Sequence, residues 1–252
     1  MRVSYVGHAT VLFELGGCRL LTDPLLRSRF GPLHRVAPPP DRASLDHLDA
    51  ILISHIHQDH LDLPSLRRLP HQVPLVGPRG SAGTLLRAGR REVHELAVGE
   101  SIEFGRVRVT AVPAVHEGRR WPRGPNADTI GYLVMGPARA YFAGDTGLFD
   151  GMRELAVDLD LALVPIWGWG PKLGEGHLNP SRAAEALALL RPRYAVPIHW
   201  GTIYPIGLSR IKPKPLSEPA IMFAREARRL APETEVRVLA PGETFGIEAS
   251  HE

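Results

Sequence analysis

The chain has 252 residues, 30 Lys+Arg against 27 Asp+Glu, a formal charge of +3 and 44% hydrophobic residues. These values exclude a disordered chain and a coiled coil, and the length is enough to bury a substantial core. A single cysteine, Cys18, excludes an internal disulfide framework and any Cys-rich zinc module.

The first residues lack the basic-then-apolar layout of a signal peptide, and no apolar run approaches the ~20 residues of a spanning helix. A cytoplasmic protein without integral membrane association is therefore expected. The paired arginines Arg67-Arg68, Arg90-Arg91, Arg119-Arg120 and Arg228-Arg229 lie far apart in the chain, so no basic block marks a nucleic-acid partner. A homo-oligomer stays open.

In chain order, residues 3–7, 10–15 and 18–23 read as short strands, with Gly16-Gly17 as a hairpin signal between the last two. Residues 30–40, with four prolines and no periodicity, are expected to contain no internal strand or helix. Residues 49–54 and 73–77 read as buried strands, and 61–69 and 81–90 as helices. Further strands are predicted within 102–115, 128–135, 138–144, 160–166 and 194–198, with amphipathic helices over 181–190 and 218–230. No linker divides the chain, so a single domain over 1–252 is expected, layered with sheets inside and helices outside.

Directly after the strand at 49–54 comes His55-Ile56-His57-Gln58-Asp59-His60, four metal-ligand types within six residues. In an extended segment residues two apart share a face, so His55 and His57 can grip one ion, with Asp59 and His60 serving another. The plainer alternative makes Asp59 the cap of the following helix and the histidines loop polars. Three further candidates repeat one placement, each following an apolar run: His116, Asp145 and His199. Five His and two Asp suit two borderline divalent ions, zinc by default, with manganese or iron also accepted by such ligands.

The His-x-His-x-Asp-His run followed by an isolated His, Asp and His resembles the metallo-β-lactamase superfamily. Gly7-His8-Ala9-Thr10, Thr22-Asp23-Pro24, Phe142 to Gly147, His177-Leu178-Asn179-Pro180 and His199-Trp200-Gly201-Thr202 add a resemblance to one branch of it. That branch contains L-ascorbate-6-phosphate lactonase and N-acylphosphatidylethanolamine phospholipase D. The resemblance implies an α/β fold, a four-layer αβ/βα sandwich with a dinuclear site at one edge. It implies that His55, His57 and His116 hold one ion, Asp59, His60 and His199 the other, and that Asp145 bridges them. The residues after His116 depart from the phospholipase pattern, and His94 is the nearest substitute. Cys18 is assigned to packing.

Beside the ligands, the resemblance places His8 and His177 in contact with substrate or orienting a ligand, and Asp23 as an acceptor for a ligand His N–H. Asp59, Asp145, His177 and His8 are the catalytic candidates. Trp167 and Trp169 sit on a Gly-rich stretch that serves as a rim or as local packing, and Arg119, Arg120 and Arg123 either meet an anionic group or are solvated.

A water between two dications is acidified toward hydroxide, so the expected reaction is hydrolysis of a small anionic ester, lactone or phosphodiester. A lipid phosphodiesterase and a non-catalytic metal-binding module are the alternatives. Di-iron reductases of the fold carry Glu at the second ligand position, where this chain has His57. A superfamily nuclease is expected to bring an additional insertion and a basic groove, and neither is visible.

Overall fold

The structure, a computed structural model, describes residues 1–41, 43–120, 123–167, 174 and 176–248. The chain opens with β1 (Arg2–Gly7), β2 (Thr10–Leu15) and β3 (Cys18–Thr22), paired antiparallel in succession. The β2–β3 turn needs positive φ at both central positions, and Gly16 and Gly17 supply it at 57° and 85°.

Residues 30–40 correct the expectation of no strand. After β4 (Arg29–Phe30), β5 (Leu33–Arg35) becomes the middle strand of a small three-stranded sheet, pairing on its other side with Ile203–Pro205. The prolines do not prevent this because Pro32 and Pro38 to Pro40 flank the three paired residues.

Three parallel strands come next, β6 (Ala50–Leu52), β7 (Leu75–Pro78) and β8 (Val93–Leu96). The helices between them are shorter than the periodicity suggests: α1 (Leu63–Leu66) and α2 (Ala82–Leu85) are one turn each. After α1 the Arg68 and Leu69 amides bond three residues back, and Pro70 stops the chain; after α2 a 3₁₀ turn ends at Gly89, whose φ is 77°. The second half contains β9 (Ser101–Phe104), β10 (Val107–Pro113), β11 (Ile130–Met135), β12 (Arg139–Phe142), β13 (Leu161–Pro165), α3 (Pro180–Leu190) and β14 (Tyr194–Ile198). It closes with β15 (Ile203–Pro205), α4 (Leu208–Ile211), α5 (Glu218–Leu230), β16 (Glu235–Val236) and β17 (Thr244–Gly246).

Two seven-stranded sheets result, ordered β17-β1-β2-β3-β6-β7-β8 and β16-β14-β13-β12-β11-β10-β9. The central strands β2, β3, β6 and β7 of the first are buried on both faces, so they are mostly apolar. Val11, Phe13, Leu20 and Leu52 join the core shared with Val109, Tyr132 and Phe142 of the second sheet, while Leu12, Leu21 and Ile51 face the cluster of Leu66 and Leu85 from α1 and α2. On the far side α3 and α5 pack on each other and cover the second sheet with Ala183, Leu187, Phe223 and Ala227. The layers are therefore αβ/βα. No helix among the described residues is long and apolar enough to cross a membrane.

Strand direction decides what this sandwich can hold. β1, β3 and β6 point the same way in one sheet, and β10, β12, β13 and β14 in the other. Residues just beyond their carboxyl ends meet at one edge, the side on which open α/β sheets bind ligands.

Candidate metal centre

At that edge stand His8 after β1, Asp23 after β3, His55 to His60 after β6, His116 after β10, Asp145 after β12 and His199 after β14. Three of them adopt left-handed backbone, His8 at φ 58°, Asp23 at 35° and His199 at 65°. Such conformations cost roughly 1–3 kcal/mol each for a side chain other than glycine and persist only where the surroundings enforce them. Here the His8 amide donates to Thr202 Oγ1 at 2.7 Å, and the His199 amide to the His8 carbonyl at 2.7 Å. The Thr10 hydroxyl donates to the Asp23 carbonyl at 2.8 Å. The short motifs around these residues thus lock one another, within the first sheet and from the first sheet to the second.

Among the described residues four groups of side chains bring ligand atoms within 4.8 Å of one another: His8, Asp59, His60 and His199; His55, His57 and His116; His55, His60 and Asp145; and His116, Asp145 and His177. All seven residues named from the sequence as ligands lie in these groups, and Asp145 shares groups with histidines from both expected sets. His94 is not among them: it lies on β8, half exposed, with Nε2 2.8 Å from Glu92. Asp59 is no helix cap, because Asp62 caps α1 by accepting from the Ser65 amide and hydroxyl, which leaves Asp59 facing the histidines.

Each imidazole is held by its outward nitrogen. His57 Nε2 meets the Arg119 carbonyl at 2.9 Å, His116 Nδ1 the Gly176 carbonyl at 2.8 Å, His199 Nδ1 the Trp167 carbonyl, and His60 Nδ1 the Asp23 carboxylate at 2.8 Å. A carbonyl only accepts, so the outward nitrogens of His57, His116 and His199 carry the hydrogen, and because burial keeps His57 and His116 neutral their inward nitrogens present lone pairs. Yet His57 Nδ1 and His116 Nε2 are 3.0 Å apart, and His60 Nε2 and His199 Nε2 3.2 Å. At the first pair two lone pairs face each other and repel unless a cation lies between them; at the second, the raised His60 and His199 hold a proton that a metal ion would have to replace.

A bound cation resolves this. Zn–N bonds of about 2.0–2.1 Å put neighbouring ligand nitrogens of a tetrahedron about 3.3 Å apart, close to both separations. His55 Nε2 and Asp145 Oδ1, moreover, are buried and have no hydrogen-bond partner. Buried polar atoms are nearly always satisfied, and a ligand to a cation is one of the few explanations for an orphan among imidazoles. The residues present fit a metal.

The electrostatics point the same way. Burial works against the charge of Asp59 and Asp145, but the surrounding histidines outweigh it, His60 first for Asp59 and His199 first for Asp145, and hold both carboxyls well below the usual range. Burial likewise opposes protonation of His60 and His199, yet Asp145 first among their neighbours lifts both, His60 well above the ordinary value. Burial keeps His55 well below it and brings His8 and His116 to about 4. One part of the cluster therefore attracts a cation and the other offers neutral nitrogens.

The remaining candidates divide. His8 has a side chain only 2% exposed, with Nε2 3.0 Å from Asp59 Oδ2, so it lies behind Asp59 and not in the open cleft. His177 is one-third exposed, 3.7 Å from Asp145 Oδ2 and edge-on to the His116 ring. It precedes α3, where Asn179 caps by accepting from the Arg182 amide at 2.9 Å and Pro180 takes the first helical position. Arg120 turns inward and bonds the carbonyls of Ile56 and Leu61, clamping the ligand loop, whereas Arg119 and Arg123 are exposed. Trp167 packs against the core and near Tyr204; Trp169 lies outside the described residues. Cys18, at the far end of β3 from Asp23, donates to the Phe104 carbonyl at 2.9 Å. Sequence reasoning missed Ser54, although it directly precedes the histidine run, and the three carbonyl acceptors, which have no side-chain signature.

The family described as Beta-lactamase superfamily domain matches this chain over residues 18–200. N-acyl-phosphatidylethanolamine-hydrolyzing phospholipase D 1 of Caenorhabditis elegans is 34% identical over 250 residues, covering 88% of this chain and 70% of that protein. A UPF0173 metal-dependent hydrolase of Opitutus terrae is also 34% identical, over 98% of this chain and 100% of that protein. The chain spans 62% of the length of mycobacterial relatives that it matches at 33% identity. Among solved structures, the metallo hydrolase Igni18 of Ignicoccus hospitalis superimposes with a TM-score of 0.70 at 23% identity, covering 98% of this chain and 99% of that one.

Proposed function

The chain belongs to the β-lactamase superfamily and its metal-dependent hydrolases, and from that membership we propose a two-ion hydrolase acting on a small anionic ester, lactone or phosphodiester. His55, His57 and His116 would hold one divalent ion, Asp59, His60 and His199 the other, and Asp145 would contribute to both; zinc is the first expectation, with manganese or iron compatible with the same ligands. The observation that supports this reading is the contact of His57 Nδ1 and His116 Nε2 at 3.0 Å, two rings fixed from behind by carbonyls and kept neutral by burial, beside the His60–His199 contact at 3.2 Å. When bound, two such ions supply an activated water and polarise the oxygen of the substrate.

The protein's own groups do the rest. Asp23 and the carbonyls of Arg119, Gly176 and Trp167 hold the ligand tautomers. His8 orients Asp59 through the 3.0 Å contact. His177, partly exposed beside Asp145, would touch substrate and donate a hydrogen to the departing oxygen.

Elemental analysis combined with a chromogenic ester, lactone and phosphodiester panel tests the proposal. Two ions per chain and turnover abolished by chelation are expected; turnover on none of these at full occupancy would favour the non-catalytic module. The nematode relative, named for hydrolysis of N-acyl-phosphatidylethanolamine, supports a second reading, so the panel includes N-acyl-phosphatidylethanolamines in mixed micelles.

A further inference from the structure

Ser54 stands between the two ligand groups without being a ligand. Its amide donates to Asp23 Oδ1 at 2.7 Å and its hydroxyl to Asp23 Oδ2 at 2.6 Å. A hydroxyl has one hydrogen, so with that hydrogen on Asp23 its oxygen faces His55 Nδ1, 3.0 Å away, as an acceptor. His55 is thereby held with Nδ1 protonated and its partnerless Nε2 turned inward. The same Asp23 Oδ2 takes the hydrogen of His60 Nδ1 at 2.8 Å.

One buried carboxylate therefore orients a nitrogen ligand in each group, His60 directly and His55 through the Ser54 hydroxyl. Ser54, Asp23, His55 and His60 are all essentially inaccessible to water, where such chains of hydrogen bonds polarise one another. The Ser54 side chain is also confined by its surroundings. A Cβ on Gly144, the residue before Asp145, would fall 2.6 Å from Ser54 Cβ and 2.8 Å from Oγ, so only glycine lets the Asp145 loop lie against it.

We propose that Ser54 is a positioning residue that couples the two ion positions, relaying the Asp23 carboxylate to His55. The inference rests on the two-ion reading above. Replacing Ser54 by Ala deletes the relay oxygen and leaves the Asp23–His60 bond in place. In Co²⁺ titrations followed by chelator competition and the visible d–d bands, Ser54→Ala should weaken the His55-His57-His116 position about ten- to a hundred-fold, the usual cost of removing an outer partner of a metal-ligating histidine. The Asp59-His60-His199 position should change less than about threefold. Asp23→Asn should weaken both positions, and the double variant should lose no more at the His55 position than Ser54→Ala alone.

Circular dichroism of the metal-free variants checks that they fold. A measurement on the unaltered protein is independent of that: long-range ¹H–¹⁵N spectra should show His55 protonated at Nδ1. Protonation at Nε2, or a Ser54→Ala variant with two unchanged affinities or with equal losses at both positions, overturns the relay. A single ion in the unaltered protein under excess metal overturns the two-ion reading instead.

Discussion

Asp145→Asn removes a carboxylate that shares candidate ligand groups with histidines of both expected sets, while keeping its size. Its oxygens lie 3.3 Å from His60 Nε2 and 3.3 Å from His199 Nε2, and it shares ligand groups with His55 and His116 of one expected set and with His60 of the other. Loss of an outer partner already costs ten- to a hundred-fold in metal affinity, so loss of a ligand should cost at least about a hundred-fold at each position. At about 1.4 kcal/mol per tenfold this is about 2.8 kcal/mol per ion. With metal well above its dissociation constant, the variant forfeits that much metal-linked stabilisation for each ion, or about 5–10 °C of the metal-induced rise in unfolding temperature for a chain of this size.

Two ions therefore predict a deficit of about 10–20 °C, read by thermal unfolding with and without zinc and by elemental analysis. Asp59→Asn is the matched control. Asp59 appears only in the group with His8, His60 and His199, so its variant should show about half the deficit and keep one ion. A metal-induced rise in Asp145→Asn equal to that of the unaltered protein, or equal deficits in the two variants, would refute the assignment of Asp145 to both ions.

His177→Ala should retain both ions and lose roughly ten- to a thousand-fold in kcat/KM, as expected for one positioned donor; loss of an ion restored by excess metal would make it a ligand. Metal affinity should rise with pH through and above the ordinary histidine value of about 6.5. Asp145 and its neighbours lift His60 and His199 against the effect of burial, so near neutrality an incoming ion must displace protons from them, whereas Asp59 and Asp145 stay ionised. Calorimetry in buffers of different ionisation enthalpy should detect this proton release, and a pH-independent affinity would contradict it. Cys18→Ala should lose about 1 kcal/mol of stability with its bond to the Phe104 carbonyl and leave metal content and turnover unchanged in elemental and kinetic assays.

Much of this molecule is local chemistry and can be read in order along the chain. The strands beside the cluster are legible because burial on both faces of the central strands of the first sheet demands apolar runs such as residues 11–13 and 50–53. The ligand types are legible because four of them fall in six residues and the other three each come after an apolar run.

Tertiary structure decided what depends on distant partners. Leu33–Arg35 became a strand only because Ile203–Pro205 lies beside it. The helical periodicity after Leu61 and after Ser81 yields single α-turns, the first closed off before Pro70 and the second tightened into a 3₁₀ turn that ends at Gly89. Asp59 and Asp62, three residues apart, are equally good caps by residue type; only the chain's path gave the cap to Asp62 and turned Asp59 to His8. Which ring nitrogen faces inward was fixed by the carbonyls of Arg119, Gly176 and Trp167, each more than 30 residues from the histidine it holds. A backbone carbonyl is the same in every residue, so its role in orienting a ligand arises from where the fold puts it and from nothing in the letter at that position.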